Sequence, residues 1–159
     1  MADIYTKAKR SQIMSSISGK ETKPEKKIRS YLFIKGIRFR KNVKILPGKP
    51  DILLPKYKVV IFFHGCFWHG HSNCKKAARP TTNIEFWNTK IQSNIDRDER
   101  VKLELETDGW RIITIWSCEV SNKNSFETTM AKLIDKIYET KPKHKSTHIK
   151  QAHKTCTQS

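Results

Sequence analysis

Apolar residues recur along the chain at spacings that predict an alternation of helices and strands. Apolar side chains three and four positions apart, as on one face of a helix, mark residues 23–35 and 83–106, and a last helix is predicted over 126–138. Four short segments predict strands: residues 37–42, 51–54, 58–63 and 111–116. The third strand is apolar on both faces, which is typical of a buried central strand. The order α-β-β-β-α-β-α therefore predicts a mixed sheet flanked by helices, an α/β fold.

Local signals set the bounds of the first long helix. Thr22 and Glu25 have the spacing of a capping box, Pro24 suits a first helical turn, and Gly36 is a plausible stop. The apolar face of this helix is predicted to be Ile28, Tyr31 and Leu32. The buried stripe of the second is predicted to be Ile84, Trp87, Ile91, Ile95 and Leu103.

The chain divides by composition into an arm, a domain and a tail. Residues 1–20 are expected to form an arm, in which Ile13, Met14 and Ile17 would share one face of a short helix. The alternative for these residues is a helix packed on the body. Residues 21–140 form the predicted domain, and 141–159, with five lysines and no acidic residue, is expected to be a basic, disordered tail.

The net charge favours a polyanionic partner. The chain carries 32 Lys and Arg against 15 Asp and Glu, a formal charge of +17, and removing the five lysines of the tail still leaves +12. Lys and Arg release counterions when they neutralise phosphates, so nucleic acid suits this surface; the alternative is charge kept for solubility. The longest apolar run, residues 59–63, is too short for a bilayer, and no signal region precedes it. We expect a cytoplasmic or nucleoid-associated protein without a membrane partner.

Three cysteines and a histidine predict a zinc site. Cys66, His71 and Cys74 fall within nine residues, and Cys118 follows the last strand. Four such ligands suit tetrahedral Zn²⁺, which would clip the loop to the end of the sheet. Alternatives are free buried thiols, or His69 in the place of His71. Cys156 is not expected to take part.

A carboxylate and two imidazoles predict a hydrolytic site. Asp51 begins one predicted strand and His64 ends the next, so a hairpin would bring them together. Hydrolysis of a phosphodiester suits Mg²⁺ held by few protein ligands, with His64 or His69 placing or deprotonating the water. Asp98 on the long helix would orient a histidine or act as a further acid. Alternatives are a turn carboxylate for Asp51, a core histidine for His64 and a surface histidine for His69.

Phe67 and Trp68 stand side by side on the predicted zinc loop. Two bulky aromatic side chains on a rigid loop could insert between base pairs and unstack a step of DNA. The alternative is that Trp68 packs on the sheet and Phe67 shields the zinc.

The chain resembles the very-short-patch (Vsr) mismatch repair endonucleases over roughly residues 1–138. The most specific block runs from His64 through Gly65, Cys66, Phe67 and Trp68 to His69. Further matching segments are Met1-Ala2-Asp3, Pro50-Asp51, Glu85-Phe86-Trp87, Gly109-Trp110-Arg111 and Ile115-Trp116-Ser117-Cys118. The resemblance implies a restriction-endonuclease-like fold. It also implies a nick 5′ to the thymine of a T·G mismatch in double-stranded DNA, of the kind left when 5-methylcytosine deaminates.

The resemblance also implies roles for single residues. Asp51 and the backbone carbonyl of Phe63 would bind magnesium, His69 would be the general base, His64 would contact the phosphate or its water, and Glu25 would support the site. Zinc would take Cys66, His71, Cys74 and Cys118. The DNA contacts would be Phe67 and Trp68 in one groove, Met14 in the other, and Lys90 and Asn94 at the mismatched pair. Phe63 departs from the threonine of relatives, which removes any side-chain role there.

A monomer that works with other mismatch-repair proteins is the expected assembly. Three other functions fit parts of the sequence: a restriction-type or less specific DNA endonuclease, a zinc DNA-binding module without catalysis, and a basic RNA-binding protein. The last explains the charge but leaves the metal-ligand cluster unexplained.

Overall fold

Helices and strands alternate along the chain in the predicted order. The computed structural model describes residues 8–9, 11–12 and 22–139, of which the first two pairs are helical. The elements are α1 (Lys23–Ile34), β1 (Arg40–Lys41), β2 (Ile52–Leu54), β3 (Val59–His64), α2 (Ile84–Thr107), β4 (Arg111–Trp116) and α3 (Lys123–Tyr138), with short 3₁₀ helices at Pro55–Tyr57 and Lys75–Ala77. Met14, most of the predicted arm, the tail 141–159 and Cys156 lie outside the described residues.

The four strands form one mixed sheet in the order β1-β2-β3-β4. The pairs β1–β2 and β2–β3 are antiparallel, while β3 and β4 run parallel, with His64 opposite Trp116 at their C-terminal ends. A parallel connection needs a crossover, and α2 supplies it. The prediction of a mixed sheet with β3 at its centre is confirmed.

Alternate residues of the strands face two different cores. Ile61 and Phe63 of β3 point to the first core, while Val60 and Phe62 point to the second. The first core is completed by α1 and α3, through Ile28, Leu32, Met130, Leu133 and Ile137. The second core is completed by α2, through Leu105 and Val101. The sheet therefore has helices on both faces, and the two faces of β3 are buried by different helices.

Helix α1 begins at the predicted residue, Lys23, and ends at Ile34, one residue before the predicted end. The Thr22 side chain accepts a hydrogen bond from the Glu25 amide, while the Thr22 hydroxyl donates to the Glu25 carboxylate at 2.8 Å. The predicted N-cap is thus confirmed. The Glu25 carboxylate, however, accepts its hydrogen bond from the side-chain hydroxyl of Thr22 and not from the Thr22 backbone amide, as it would in a capping box. At the other end Gly36 has φ +73°, its N–H donates to Phe33 O, and Ile37 N–H donates to Leu32 O. These two bonds satisfy the last carbonyls of the helix.

The predicted stripe of α2 is wrong at both of its ends. Ile91 is fully buried, but Ile84 is 53% exposed and Leu103 is 66% exposed. Leu105 is buried in place of Leu103, because it follows Ile91 at helical spacing whereas Leu103 falls on the opposite side of the helix. The first strand is also shorter than predicted. It pairs only at Arg40–Lys41, and Ile37 instead hydrogen-bonds the last turn of α1 through its amide.

In the described part of the chain, no helix has the length and apolar character needed to cross a membrane.

Candidate active site and metal centre

Four of the five residues predicted to act in catalysis line one cavity, whereas the fifth, Glu25, lies outside its lining. The cavity has a volume of about 610 Å³ and lies between α2 and the ends of β3 and β4; its lining includes Asp51, His64, His69, Asp98 and Trp116. Because β2 runs antiparallel to β3, the residue before β2 lies beside the end of β3. Asp51 Oδ2 accepts a hydrogen bond from the Phe63 amide at 2.8 Å across this junction. The hairpin thus brings Asp51 to the histidines, as the sequence predicts.

Asp51 lies in surroundings that disfavour its negative charge. Burial raises the pKa of the Asp51 carboxyl, the hydrogen bond from the Phe63 amide lowers it, and the nearby Glu25 carboxylate raises it; the net shift is upward. Glu25 lies in the first turn of α1, with its Oε2 3.9 Å from Nη1 of Arg29. A cation bound beside Asp51 and Glu25 would relieve this cost.

The side chain of Phe63 points away from the cavity. It packs in the first core beside Ile61, on the α1 and α3 side of the sheet, whereas Phe62 packs on the α2 side. The hydrogen bond between Phe63 and Asp51 is made by the backbone amide of Phe63. A phenylalanine is compatible with this position, because the side chain here belongs to the core.

His64, His69 and Asp98 are in direct contact. His69 Nδ1 is hydrogen-bonded to Asp98 Oδ2, and His64 Nδ1 lies 4.0 Å from the same oxygen. The two imidazole rings are stacked, with centroids 3.8 Å apart and planes 10° from parallel. Their donor atoms lie close enough to be considered for a metal. Parallel rings, however, cannot both direct an in-plane lone pair at one ion, so the geometry favours proton transfer and hydrogen bonding over joint ligation.

His64 is uncharged at neutral pH. Burial lowers the pKa of its ring, His69 lowers it further, Asp98 opposes both, and the result is a pKa of about 4. A neutral imidazole can both donate and accept a hydrogen bond. His64 is therefore suited to contact water or a phosphate oxygen as a polar group and not as a cation.

Three thiols and one imidazole gather at the ends of the parallel strands. Cys66 follows β3 and Cys118 follows β4, while His71 and Cys74 come from the loop after β3. The ligand atoms of all four lie within 4.8 Å of one another, and His71 Nδ1 is 3.4 Å from Cys118 Sγ. The three cysteines carry free thiols. His69 is engaged by Asp98 in the neighbouring cluster, so His71 is the histidine that the fold brings to the cysteines.

The electrostatics of the thiol cluster fit a cationic ligand. Burial opposes ionisation of Cys66, but hydrogen bonds from the Ser117 hydroxyl, at 3.1 Å, and from the Cys118 backbone outweigh it and lower the pKa of the thiol to about 6. Burial and the neighbouring thiols of Cys66 and Cys74 raise the pKa of Cys118 to about 12. Three cysteine thiols and one imidazole with their ligand atoms this close together form the ligand set of a tetrahedral Zn²⁺ site.

Phe67 and Trp68 meet two further aromatic residues at the start of α2. The ring of Trp87 lies 5.2 Å from that of Phe67 and 5.8 Å from that of Trp68, and Phe86 lies 5.2 Å from Trp87. Phe86 is 61% exposed, so this cluster opens at the surface. Trp87 was predicted only as part of the buried stripe, and its contact with the loop was not predicted; the available signal was the adjacent pair of aromatic residues at 86 and 87.

Asn94 and Lys90 lie one turn apart on α2. Asn94 Nδ2 donates to the backbone oxygen of Trp68 at 2.8 Å, which joins the aromatic loop to the helix. Lys90 is exposed. Ser117 and Trp116 were noted in the sequence only as part of a segment that matches the family and, for Trp116, as the end of a predicted strand. In the structure Ser117 hydrogen-bonds Cys66, and the Trp116 ring contacts both His71 and His64.

Known proteins resemble this chain over most of its length. The sequence profile of the family described as DNA mismatch endonuclease Vsr matches residues 2–76. The type II nicking enzyme V.NmeAIP of Neisseria meningitidis is 48% identical over 137 residues, 86% of this chain and 97% of its own. The DNA mismatch endonuclease Vsr of Escherichia coli is 42% identical over 123 residues, 77% of this chain and 78% of its own. The type II nicking enzyme V.XorIIP of Xanthomonas oryzae is 39% identical, covering 85% and 98%.

Proposed function

The chain belongs to the Vsr family of DNA mismatch endonucleases and nicking enzymes, and we propose that it nicks one strand of duplex DNA 5′ to the thymine of a T·G mismatch. It is a DNA endonuclease, a hydrolase of phosphodiester bonds, and DNA is its substrate. The proposed mismatch is the product of 5-methylcytosine deamination, and the proposed cofactor is magnesium. The observation that carries the proposal is the cavity in which Asp51 lies with His64, His69 and Asp98.

Asp51 is the proposed magnesium ligand, with the backbone carbonyl of Phe63 beside it. The upward pKa shift of a half-buried carboxyl close to Glu25 supports a cation at this point. When bound there, magnesium would neutralise charge on the scissile phosphate. Glu25 supports the site by holding Arg29 and by keeping negative charge near Asp51.

His69 is the proposed general base, and Asp98 orients it. The hydrogen bond from Nδ1 to Asp98 leaves Nε2 to accept a proton from water, and the carboxylate stabilises the imidazolium that forms. His64, stacked against this ring and neutral, is proposed to hydrogen-bond the phosphate or the attacking water.

Zinc is the proposed occupant of the Cys66, His71, Cys74 and Cys118 site, in a structural role. Closed sites with four protein ligands are typical of structural zinc. Here they would join the loop that carries His69 to the end of β4.

The aromatic loop is the proposed wedge in DNA. Phe67 and Trp68 would enter one groove and Met14 the other, while Lys90 and Asn94 would contact the mismatched pair. The exposure of Phe86, 61% at the edge of the aromatic cluster, supports the approach of a duplex to this part of the surface. We further propose that the enzyme acts as a monomer in the bacterial cytoplasm, at the nucleoid, together with other mismatch-repair proteins.

A panel of end-labelled duplexes tests the proposed specificity. The full chain, loaded with zinc, is incubated with magnesium and duplexes that differ only at one pair: T·G, matched T·A and C·G, and other mismatches. We expect one cut, on the thymine strand and 5′ to that base. Equal cutting of matched DNA would support a restriction-type or less specific endonuclease, and binding without any cut would support a zinc DNA-binding module.

Asp51→Asn tests the proposed magnesium ligand. Loss of the charge should lower the nicking rate of bound DNA by about 10³-fold, since one carboxylate ligand carries much of the affinity for the ion. Binding to the T·G duplex, measured by fluorescence anisotropy, should change little. The matched control is Asp135→Asn, an exposed carboxylate on α3, which should leave the rate unchanged. A nicking rate equal for wild type and Asp51→Asn would contradict the assignment.

A further inference from the structure

A column of aromatic rings connects the thiol cluster with Asp98. The His71 ring stacks on Trp116, with centroids 4.1 Å apart and planes 5° from parallel. The same Trp116 ring and the His64 ring form a T-shaped pair, with centroids 5.4 Å apart and planes at 77°. His64 in turn stacks on His69 at 3.8 Å, and His69 is hydrogen-bonded to Asp98. One side chain, Trp116, is thus in contact with both histidine clusters.

The sheet fixes the place of Trp116 in this column. His64 and Trp116 are paired at the ends of the parallel strands β3 and β4. The Ser117 amide donates to His64 O at 2.9 Å, and the Trp116 amide donates to Glu119 Oε2 at 2.8 Å. These bonds hold the backbone on both sides of the ring, so Trp116 is a rigid neighbour for each imidazole.

The loop brings His71 onto one face of the Trp116 ring. The His71 amide donates to Cys66 O at 3.0 Å, which closes the loop directly after β3. The Nδ1 atom of His71 faces Cys118 at 3.4 Å while its ring lies flat on the indole. A metal that sets the plane of His71 therefore also sets the surface against which Trp116 packs. Stacked aromatic rings attract each other beyond the effect of the apolar area that they bury, so each ring favours keeping its place against its neighbour.

We propose that Trp116 is a positioning residue that makes the orientation of His64, and through it that of His69, depend on the metal held by the Cys66, His71, Cys74 and Cys118 site. Trp116 neither ligates the metal nor reacts with DNA in this role. The proposal rests on the proposed function in that His64 and His69 act in catalysis there; the ring contacts themselves do not depend on the substrate.

Histidine spectra of the full chain test the coupling without DNA. The ring ¹H–¹³C resonances are compared between the zinc-loaded and the cadmium-loaded protein, since cadmium enters thiolate sites with longer bonds and leaves the fold in place. In the wild type and in Trp116→Phe, we expect the exchange to shift His71, His64 and His69. In Trp116→Leu, His71 should still shift while His64 and His69 do not. Equal shifts of His64 in Trp116→Leu and in the wild type would overturn the proposal.

Nicking kinetics on the proposed T·G duplex provide the second readout. Trp116→Leu should lower the rate of nicking of bound DNA by ~10-fold or more, with the Kd for DNA within about threefold, and Trp116→Phe should restore most of the rate. Trp110→Leu is the control, because Trp110 lies at the opposite end of β4, beneath Lys58, and outside the ring column. Equal losses in the Leu and Phe variants of Trp116, or an equal loss in Trp110→Leu, would contradict a positioning role.

His71→Cys provides a second variant if Trp116→Leu does not fold. Four cysteines also form a structural zinc site, so the metal stays while the ring on Trp116 is lost. We expect metal exchange in this variant to leave His64 and His69 unshifted; shifts as large as in the wild type would overturn the proposal. Should the wild type fail to nick the T·G duplex, the proposed function fails while the spectra still decide the coupling.

Discussion

At the scale of single residues, the proposed role of the Asp98 carboxylate is to set which nitrogen of His69 can accept a proton. Asp98→Asn keeps the shape of the side chain but removes the charge that stabilises the imidazolium and fixes its tautomer. We expect the nicking rate of bound DNA to fall by about 10²- to 10⁴-fold, as when the orienting carboxylate of a catalytic histidine is removed. Single-turnover nicking at saturating enzyme measures this rate apart from binding.

Asp96→Asn is the control for this substitution. Asp96 lies two residues earlier on α2, where its carboxylate is exposed and accepts a hydrogen bond from Gln92 at 2.8 Å. Its rate should equal that of the wild type. If the Asp98→Asn enzyme nicked DNA at the wild-type rate, His69 would not depend on this carboxylate, and the proposed role of Asp98 in the general base would be wrong.

The residues of the site were predictable as chemical types, but some of their partners were not. Cys66, Cys74 and Cys118 stand out in the sequence because free thiols clustered with histidine are typical of a metal site. His69 and His71 could not be separated by spacing, since both lie between the same cysteines. The fold separates them by placing Asp98, from a helix distant in sequence, against His69. The two ring contacts of Trp116 could likewise not be predicted, because they come from other segments of the chain.

At the scale of elements, the approach of the β1–β2 loop to α2 depends on Gly48. This residue has φ +70°, and a Cβ there would lie 2.5 Å from Cγ1 of Val101. Valine has little rotamer freedom in a helix, so the contact cannot be relieved cheaply. Gly48→Ala should destabilise the protein by about 2–4 kcal/mol, from left-handed strain and overpacking together. The shift in the urea midpoint at constant m measures it.

Gly36→Ala isolates the strain from the steric contact. Gly36 has a similar φ of +73°, but a Cβ there meets nothing within 4 Å. Its cost should be only about 1 kcal/mol, the penalty of the left-handed backbone. If Gly48→Ala and Gly36→Ala lower the free energy of unfolding by the same amount, the contact with Val101 adds no cost. The loop would then be able to move away from α2.

Elements with local signals were predicted closely, whereas those set by pairing were not. Residues 111–116 form β4 as predicted, because a short apolar run bounded by turn residues is a local property. The first strand pairs only at Arg40–Lys41, because its length depends on β2, which itself has three residues. Leu103 was placed in the buried stripe of α2 by hydrophobicity, but the sheet meets the side of the helix that carries Val101 and Leu105. Which side of a helix is covered depends on the layers of the fold and not on the helix alone.

At the scale of the whole molecule, the net charge of +17 predicts an affinity for DNA that falls steeply with salt. The five lysines of residues 141–159 account for part of this charge without belonging to the proposed mismatch contacts. Replacing Lys141, Lys143, Lys145, Lys150 and Lys154 with Gln should reduce the slope of log K against log salt by at most about 4.5. Matched and T·G duplexes should lose affinity by the same factor, since phosphate contacts carry no sequence information.

Binding titrations of the matched and the T·G duplex across a range of salt concentrations separate the effect of the five tail lysines from recognition of the mismatch. The ratio of the two affinities should stay at the wild-type value at each salt concentration while both affinities fall. A ratio that drops toward one after the replacement would mean that the lysines contact the mismatched pair or its neighbours. Discrimination between the duplexes would then no longer belong only to the aromatic loop and α2, and the division into a specific domain and a non-specific tail would be wrong.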